Sequence, residues 1–370
     1  MTKRRRKWIN FYGIMAVAVS TILTLAQAES NSKNQQNNEY AVPLTATIIP
    51  LNHQNTALKT VGKLHYLGGL KITSPKSHFG GISSFVISPD GQRILGISDS
   101  SQWLVADMVY SSDNNLVDIK NARMAPLKNI AGQEKNSALD AEAITAVDGA
   151  GYVVSFESPH TLRYFQANHT FDYYSLFSAH AQNVSFAPEL PDTYASLPDN
   201  LGIEALTTLP DGRMLAFSEN TLTDGNDTHA QGWLIGHGKV QSLKYQTSPS
   251  YKPTDMATLP DGDVLVLERH FSLAKGMAAR LTRLPSNAIK VGTSIKGEII
   301  ADLAFPFNLD NMEALAVRQN EAGETIIYIM SDNNYNRLQR NLLMMFRMEP
   351  TIKKAAEQIN GFNRILVDAN

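Results

Sequence analysis

The 370-residue chain contains no cysteine. Disulfides, thiolate metal centres and thiol nucleophiles are therefore excluded, and the fold must be held by its core even in an oxidising compartment. Nor is one sign of charge in excess: 33 Lys and Arg stand against 35 Asp and Glu, a formal net charge of -2. Nucleic acid and anionic membrane surfaces draw on a basic surplus, so neither is expected as a partner. No Gly-x-Ser-x-Gly stretch occurs, which leaves an esterase built on an activated serine unsupported.

Long apolar runs are missing except near the start. Lys3, Arg4, Arg5, Arg6 and Lys7 precede an apolar stretch over 11–25 that ends in Ala26-Gln27-Ala28. Basic, apolar and small-residue regions in that order predict a signal peptide over 1–28 and a periplasmic or secreted protein. The stretch is shorter than the ~20 residues a span needs, so no stable membrane span is expected after cleavage. Arg5-Arg6 also fits a twin-arginine signal; an ordinary basic leader or an uncleaved anchor fits the same residues. Residues 29–45 are rich in Asn and Gln and predict a disordered linker. The remaining 46–370 read as a single domain, with two domains as the alternative.

Internal repetition organises that domain. Five segments, starting at Phe85, Glu142, Glu204, Asp255 and Glu313, each read as a β-rich run, a turn and a second β-rich run. Asp90-Gly91, Asp148-Gly149, Asp211-Gly212 and Asp261-Gly262 supply the turns, and Asp-Gly signals a two-residue type I′ hairpin. A period of roughly 50 to 60 residues predicts an all-β fold, a β-propeller with six four-stranded blades as the favoured count and five or seven as alternatives. Strands near Leu64 and over 364–367 would close the ring as a composite blade. Helical patterns are local, over 273–281 and 349–359. Trp103 and Trp233 are read as packing between blades.

With two-residue turns, acidic residues fall opposite one another: Glu142 with Glu157, Glu204 with Glu219, Asp255 with Glu268, and Glu313 with Asp332. Directly opposed like charges are destabilising. Equivalent positions of successive blades share one level, so the pairs predict a carboxylate ring at one end of the axis, joined by Asp99, Asp140 and Asp310. Hard oxygen ligands suit Ca²⁺ above all. Pairing with Arg163, Arg269, Arg280, Arg337 or Arg340, without metal, is the alternative. His160 and His270, beside Glu157 and Glu268, are proton-shuttle candidates as well as structural ones.

The blocks over 202–219, 254–272 and 310–337 resemble the phytase-like family, known by its esterase-like activity of phytase. The Glu-Ala steps at 142, 204 and 313, the string VLVLERHFS from Val264 and SDNNYNRLQR from Ser331 carry the likeness, which covers 64–348. Membership implies an extracytoplasmic propeller and a hydrolase of phosphate esters or related esters. The Asp-Asp-Pro-Ala stretch of a well-characterised β-propeller phytase is absent, and Leu197-Pro198-Asp199-Asn200 does not replace it. Any hydrolysis must then be metal-assisted. The expected catalytic residues are Glu204, Glu268, Arg269 and Arg337, the arginines gripping phosphate. A monomer acting on a small-molecule ester is expected; the competing class is a non-catalytic, cation-stabilised propeller that binds a ligand or partner.

Overall fold

The computed structural model describes residues 39–349, apart from 134–139, 148, 158, 185–193, 195–196, 199–200, 226 and 274–275. The expected signal peptide, the strand over 364–367 and all but the first residue of the helix over 349–359 lie outside the described residues.

Five antiparallel sheets follow one another along the chain as propeller blades. Their innermost strands are Ile82–Ile87 in blade I, Asp140–Val147 in blade II, Ile203–Thr208 in blade III, Lys252–Thr258 in blade IV and Asn311–Gln319 in blade V. Each packs against the next, and that of blade V returns to that of blade I. The hydrophobic core divides in the same way: each of five clusters fills the seam between two adjacent blades. Strands covered on both faces lose the alternation of a half-exposed sheet, so Gly151–Glu157 and Thr325–Asp332 are buried at every position. Trp103 and Trp233 pack in two of these seams, with Phe165 and Tyr194 edge-on at 5.1 and 5.5 Å.

There are five blades, not six. The N-terminal strand Leu64–Thr73 pairs with Asn341–Met348, the third strand of the fifth repeat, and Thr45–Ile48 lies outside it. The chain's start thus completes the last blade instead of adding one, and the ring closes without an exposed inner edge. Two further expectations change. Residues 40–45 are not linker: Tyr40–Ala41 pairs with Met124 and Arg123, and Val42 is buried, because Tyr40, Val42 and Leu44 all reach the seam between blades V and I. The helix expected over 273–281 gives way to strand from Gly276, since Gly276–Leu284 is the third strand of blade IV.

The Asp-Gly turns at 211–212 and 261–262 close hairpins with three residues in the loop, whereas at Asp90-Gly91, where Ser88 N–H donates to Arg93 O at 2.8 Å, the loop holds four residues and the expected register is kept. Leu209 N–H donates to Arg213 O at 2.7 Å and Gly212 N–H to Leu209 O at 2.9 Å, while Gly212 sits at φ +82°. Leu259, Asp263 and Gly262 repeat this in blade IV. A turn followed by a left-handed glycine is the three-residue alternative to type I′. The pairing register therefore moves by one residue, with consequences at the axis.

Candidate functional site

A second irregularity recurs at the same place in all five blades. The inner pair of strands is interrupted by a bulge that leaves Ser83, Glu142, Glu204, Thr254 and Glu313 as the extra residue of the inner strand. Bulges re-aim side chains. Here Glu142 and Glu204 repel each other, as do Glu204 and Glu313 from blades that are not neighbours, so these carboxyls face one another around the axis. The next tier outward on the second strands is Asp99, Glu157, Glu219, Arg269 and Asp332. Opposite it on the inner strands stand Gly81, Asp140, Gly202, Lys252 and Asn311.

The mouth of the propeller thus gathers Asp99, Asp140, Glu142, Glu157, Glu204, Glu219, Glu313 and Asp332 around two cations, Arg269 and Lys252. Arg269 answers one side of the ring. Its Nη2 donates to Glu219 Oε1 at 2.8 Å and its Nη1 to Glu313 Oε1 at 2.9 Å and to Asn311 Oδ1; Lys252 Nζ lies 3.2 Å from Glu219 Oε2. Asn311 Nδ2 also donates to Glu313 Oε1 at 2.6 Å.

The other side has no such partner among the described residues. One carboxylate oxygen each from Asp140, Glu142 and Glu157 lies within 4.8 Å of the others. Asp140 and Glu157 are directly opposed across the ladder, and Gly202 N–H donates to Glu157 Oε1. Asp99 Oδ1 is buried without a hydrogen-bond partner. Burial, compounded by like charges, pushes these acids up: Glu142 and Glu204 well above the usual carboxylate range, Glu313 to about 8 and Asp99 to about 7. Without a cation the mouth holds protons at neutral pH.

The spacing fits a hard cation. Ligand oxygens 2.3–2.6 Å from one Ca²⁺ are at most ~5 Å apart, and three that meet this limit are carboxylates, the ligands Ca²⁺ prefers. Glu219 and Glu313 are occupied by Arg269 instead, so the two sequence-level alternatives, cation and arginine, divide the ring between them.

Two expected members are elsewhere. Asp255 is one level deeper, level with Ser84, Ala143, Ala205 and Ala314, where its carboxylate accepts from Ser84 Oγ (2.9 Å), Leu315 N–H (2.7 Å) and its neighbour Met256 N–H (2.8 Å) and links three blades. Glu268, opposite Pro253, turns off the axis to accept from Thr282 Oγ1 at 2.6 Å, near Arg280 and Tyr245. Both displacements follow from the register, which puts Thr254 where blades II, III and V have glutamates and Arg269 where the other four blades have glutamates or aspartates. The alignment was available in the sequence: Leu209-Pro210-Asp211-Gly212 and Leu259-Pro260-Asp261-Gly262 superpose Glu204 on Thr254 and Glu219 on Arg269 without a gap. Lys252, the second cation, is found the same way, superposed on Gly202.

Arg269 is committed to its own ring, not free to grip a ligand with both edges. Arg337 is exposed on the loop after Asp332. Arg340 binds Asp310 at 3.1 Å, away from the carboxylate tiers, and Arg163 contacts Asn183. His160 stands beside the cluster, its Nε2 against Leu197 O and Pro198 O and its Nδ1 buried without a partner, while His270 Nδ1 lies 3.0 Å from Ser250 O.

The family model for esterase-like activity of phytase matches residues 77–335. The chain belongs to this phytase-like family. The matched span runs from just before blade I to the loop carrying Tyr335, so it takes in every residue of the acidic mouth. No curated protein matches the chain. Among solved structures, a protein of unknown function from Bacteroides caccae is 10% identical, with 66% of each chain covered and a TM-score of 0.29. The β-propeller domain of Cps50 (Swd1) from Myceliophteria thermophila is 8% identical over 85% of this chain and 100% of that one, at 0.35, and a luciferin-regenerating enzyme is 9% identical over 72% and 92%, at 0.33. None of the described residues forms a helix long and apolar enough to cross a membrane.

Proposed function

We propose that this phytase-like propeller is an exported hydrolase of phosphate esters that works with Ca²⁺ held by Asp140, Glu142 and Glu157. The observation that carries the proposal is the approach of those three carboxylate oxygens within 4.8 Å, with no Lys or Arg beside them among the described residues. A bound Ca²⁺ would supply a polarised phosphoryl oxygen and a water of lowered pKa. The chain supports that chemistry in three ways. Gly202 N–H pins Glu157 in place. Arg269 and Lys252 cancel charge on the far side of the ring, so the mouth's negative potential is concentrated at the cluster. Glu204, half-buried and next to Glu142, is a carboxyl whose proton affinity is raised well above the ordinary range by burial and by its acidic neighbours, which suits it to exchange a proton with a bound ester. The basic and apolar leader supports export to an extracytoplasmic compartment.

The test combines thermal unfolding in EDTA and then in added Ca²⁺ with phosphate release from an aryl phosphate and from phytate on the same samples. A higher melting temperature together with Ca²⁺-dependent release supports the hydrolase. Higher stability without release would leave a cation-stabilised binding propeller, and no response to Ca²⁺ would remove the site. Glu142→Gln with Glu157→Gln should abolish both responses.

A further inference from the structure

Beside the acidic mouth lies a groove of opposite character. A cavity of about 460 Å³ opens between the strand Leu64–Thr73, the segment 74–79 and the loop 333–341. Lys71, Lys76, Arg337 and Arg340 line it, and no Asp or Glu does. Arg340 is tied to Asp310 and to Leu309 O. Lys71, Lys76 and Arg337 are exposed and make no ion pair among the described residues. In a chain of net charge -2, three uncommitted cations from two distant segments around one concavity concentrate positive potential that the surface as a whole lacks.

The rest of the lining is neutral and mostly polar. The remaining walls offer hydroxyls and amides such as Thr73 and Asn336, which pair with alcohols. The volume falls in the range of small-molecule sites and exceeds what one oxyanion fills.

We infer that this groove is a second ligand site, separate from the carboxylate ring, and that it takes an acidic saccharide: anionic groups on Lys71, Lys76 and Arg337, with ring hydroxyls on Thr73 and Asn336. Asn333 and Tyr335 form its wall toward the mouth, since Asn333 Oδ1 accepts from Gly81 N–H at 3.2 Å and Tyr335 bonds Ser100 beside Asp99. A bound saccharide would thus be held at the rim of the axis.

Calorimetric titration of the purified chain with a galacturonate hexamer, a neutral galactose hexamer, inorganic phosphate and a single-stranded DNA hexamer tests this. The acidic hexamer should bind at low salt and weaken as salt rises. The neutral hexamer should bind at least about tenfold less tightly, as should the acidic hexamer to the triple variant Lys71→Gln, Lys76→Gln, Arg337→Gln. Asn336→Leu should weaken the saccharide and leave phosphate unchanged. Glu142→Gln with Glu157→Gln should leave the hexamer's affinity intact, so failure of the metal site and failure of the groove are told apart. Equal binding of acidic and neutral hexamers, an unaffected triple variant, phosphate binding as tight as the hexamer's, or tighter binding of the DNA would each overturn the assignment.

Discussion

Replacing Arg269 by methionine would remove the cation that serves one side of the ring while keeping a side chain of similar reach. Arg269 is three-quarters shielded from solvent and holds Glu219 and Glu313 at 2.8 and 2.9 Å. Removing one partner of a buried pair leaves an uncompensated charge, a loss of about 3–5 kcal/mol. The loss must depend on pH. The Glu313 carboxyl is at about 8 with the guanidinium beside it, against an ordinary 4.5, and burial is the main cause. Arg269 opposes that rise, so its removal moves Glu313 further up. A carboxyl raised in the folded state retains a proton that the unfolded chain gives up, and stability then falls as pH rises. Both proteins carry the same penalty between about 4.5 and 8, where Glu313 keeps its proton with or without Arg269, so the extra loss in the variant opens above about 8. Urea unfolding in EDTA should show the full loss at about pH 9.5, but at pH 5, where Glu313 is neutral, only the ~1–3 kcal/mol of broken hydrogen bonds. Equal losses at the two pH values, or a loss that shrinks above pH 8, would refute the account.

The parent protein in EDTA should lose thermal stability between about pH 4 and 8, as Asp99, raised by burial to about 7 from 3.8, and Glu313 give up protons they prefer to keep. Saturating Ca²⁺ should flatten that slope, and a slope of opposite sign would contradict the burial of these acids. Asp255→Ala strips three donors of their acceptor, so a loss of about 3 kcal/mol is expected in urea unfolding, with Ca²⁺ affinity by calorimetry unchanged. Gly202→Ala places a Cβ 2.8 Å from His160 Nδ1 and 2.9 Å from Glu157 Oε1. Displacing Glu157 should weaken Ca²⁺ about tenfold, equivalent to ~1.4 kcal/mol, and unchanged affinity would detach Glu157 from the site.

Much of this protein is legible along the chain because its information is local. β-Rich runs around Asp-Gly turns specify hairpins, their recurrence specifies blades, and the absence of cysteine assigns stability to the seams between them. That acidic residues collect at one end of the axis also follows, since every repeat places them at the same ends of its strands. Blade number did not follow. It depends on which distant strand completes the fifth sheet, and Leu64–Thr73 carries no local mark of its partnership with Asn341–Met348. Nor did the membership of the ring. One loop residue beyond a two-residue turn, and one bulge residue beyond a regular ladder, each shift register by a single position, and in a strand one position exchanges the two faces. That shift sends Asp255 deeper and Glu268 off the axis, and it places Arg269 among the acids. The division of the mouth into an arginine-neutralised side and an unpaired carboxylate cluster is a property of five blades meeting around one axis, where residues far apart in sequence become neighbours in charge.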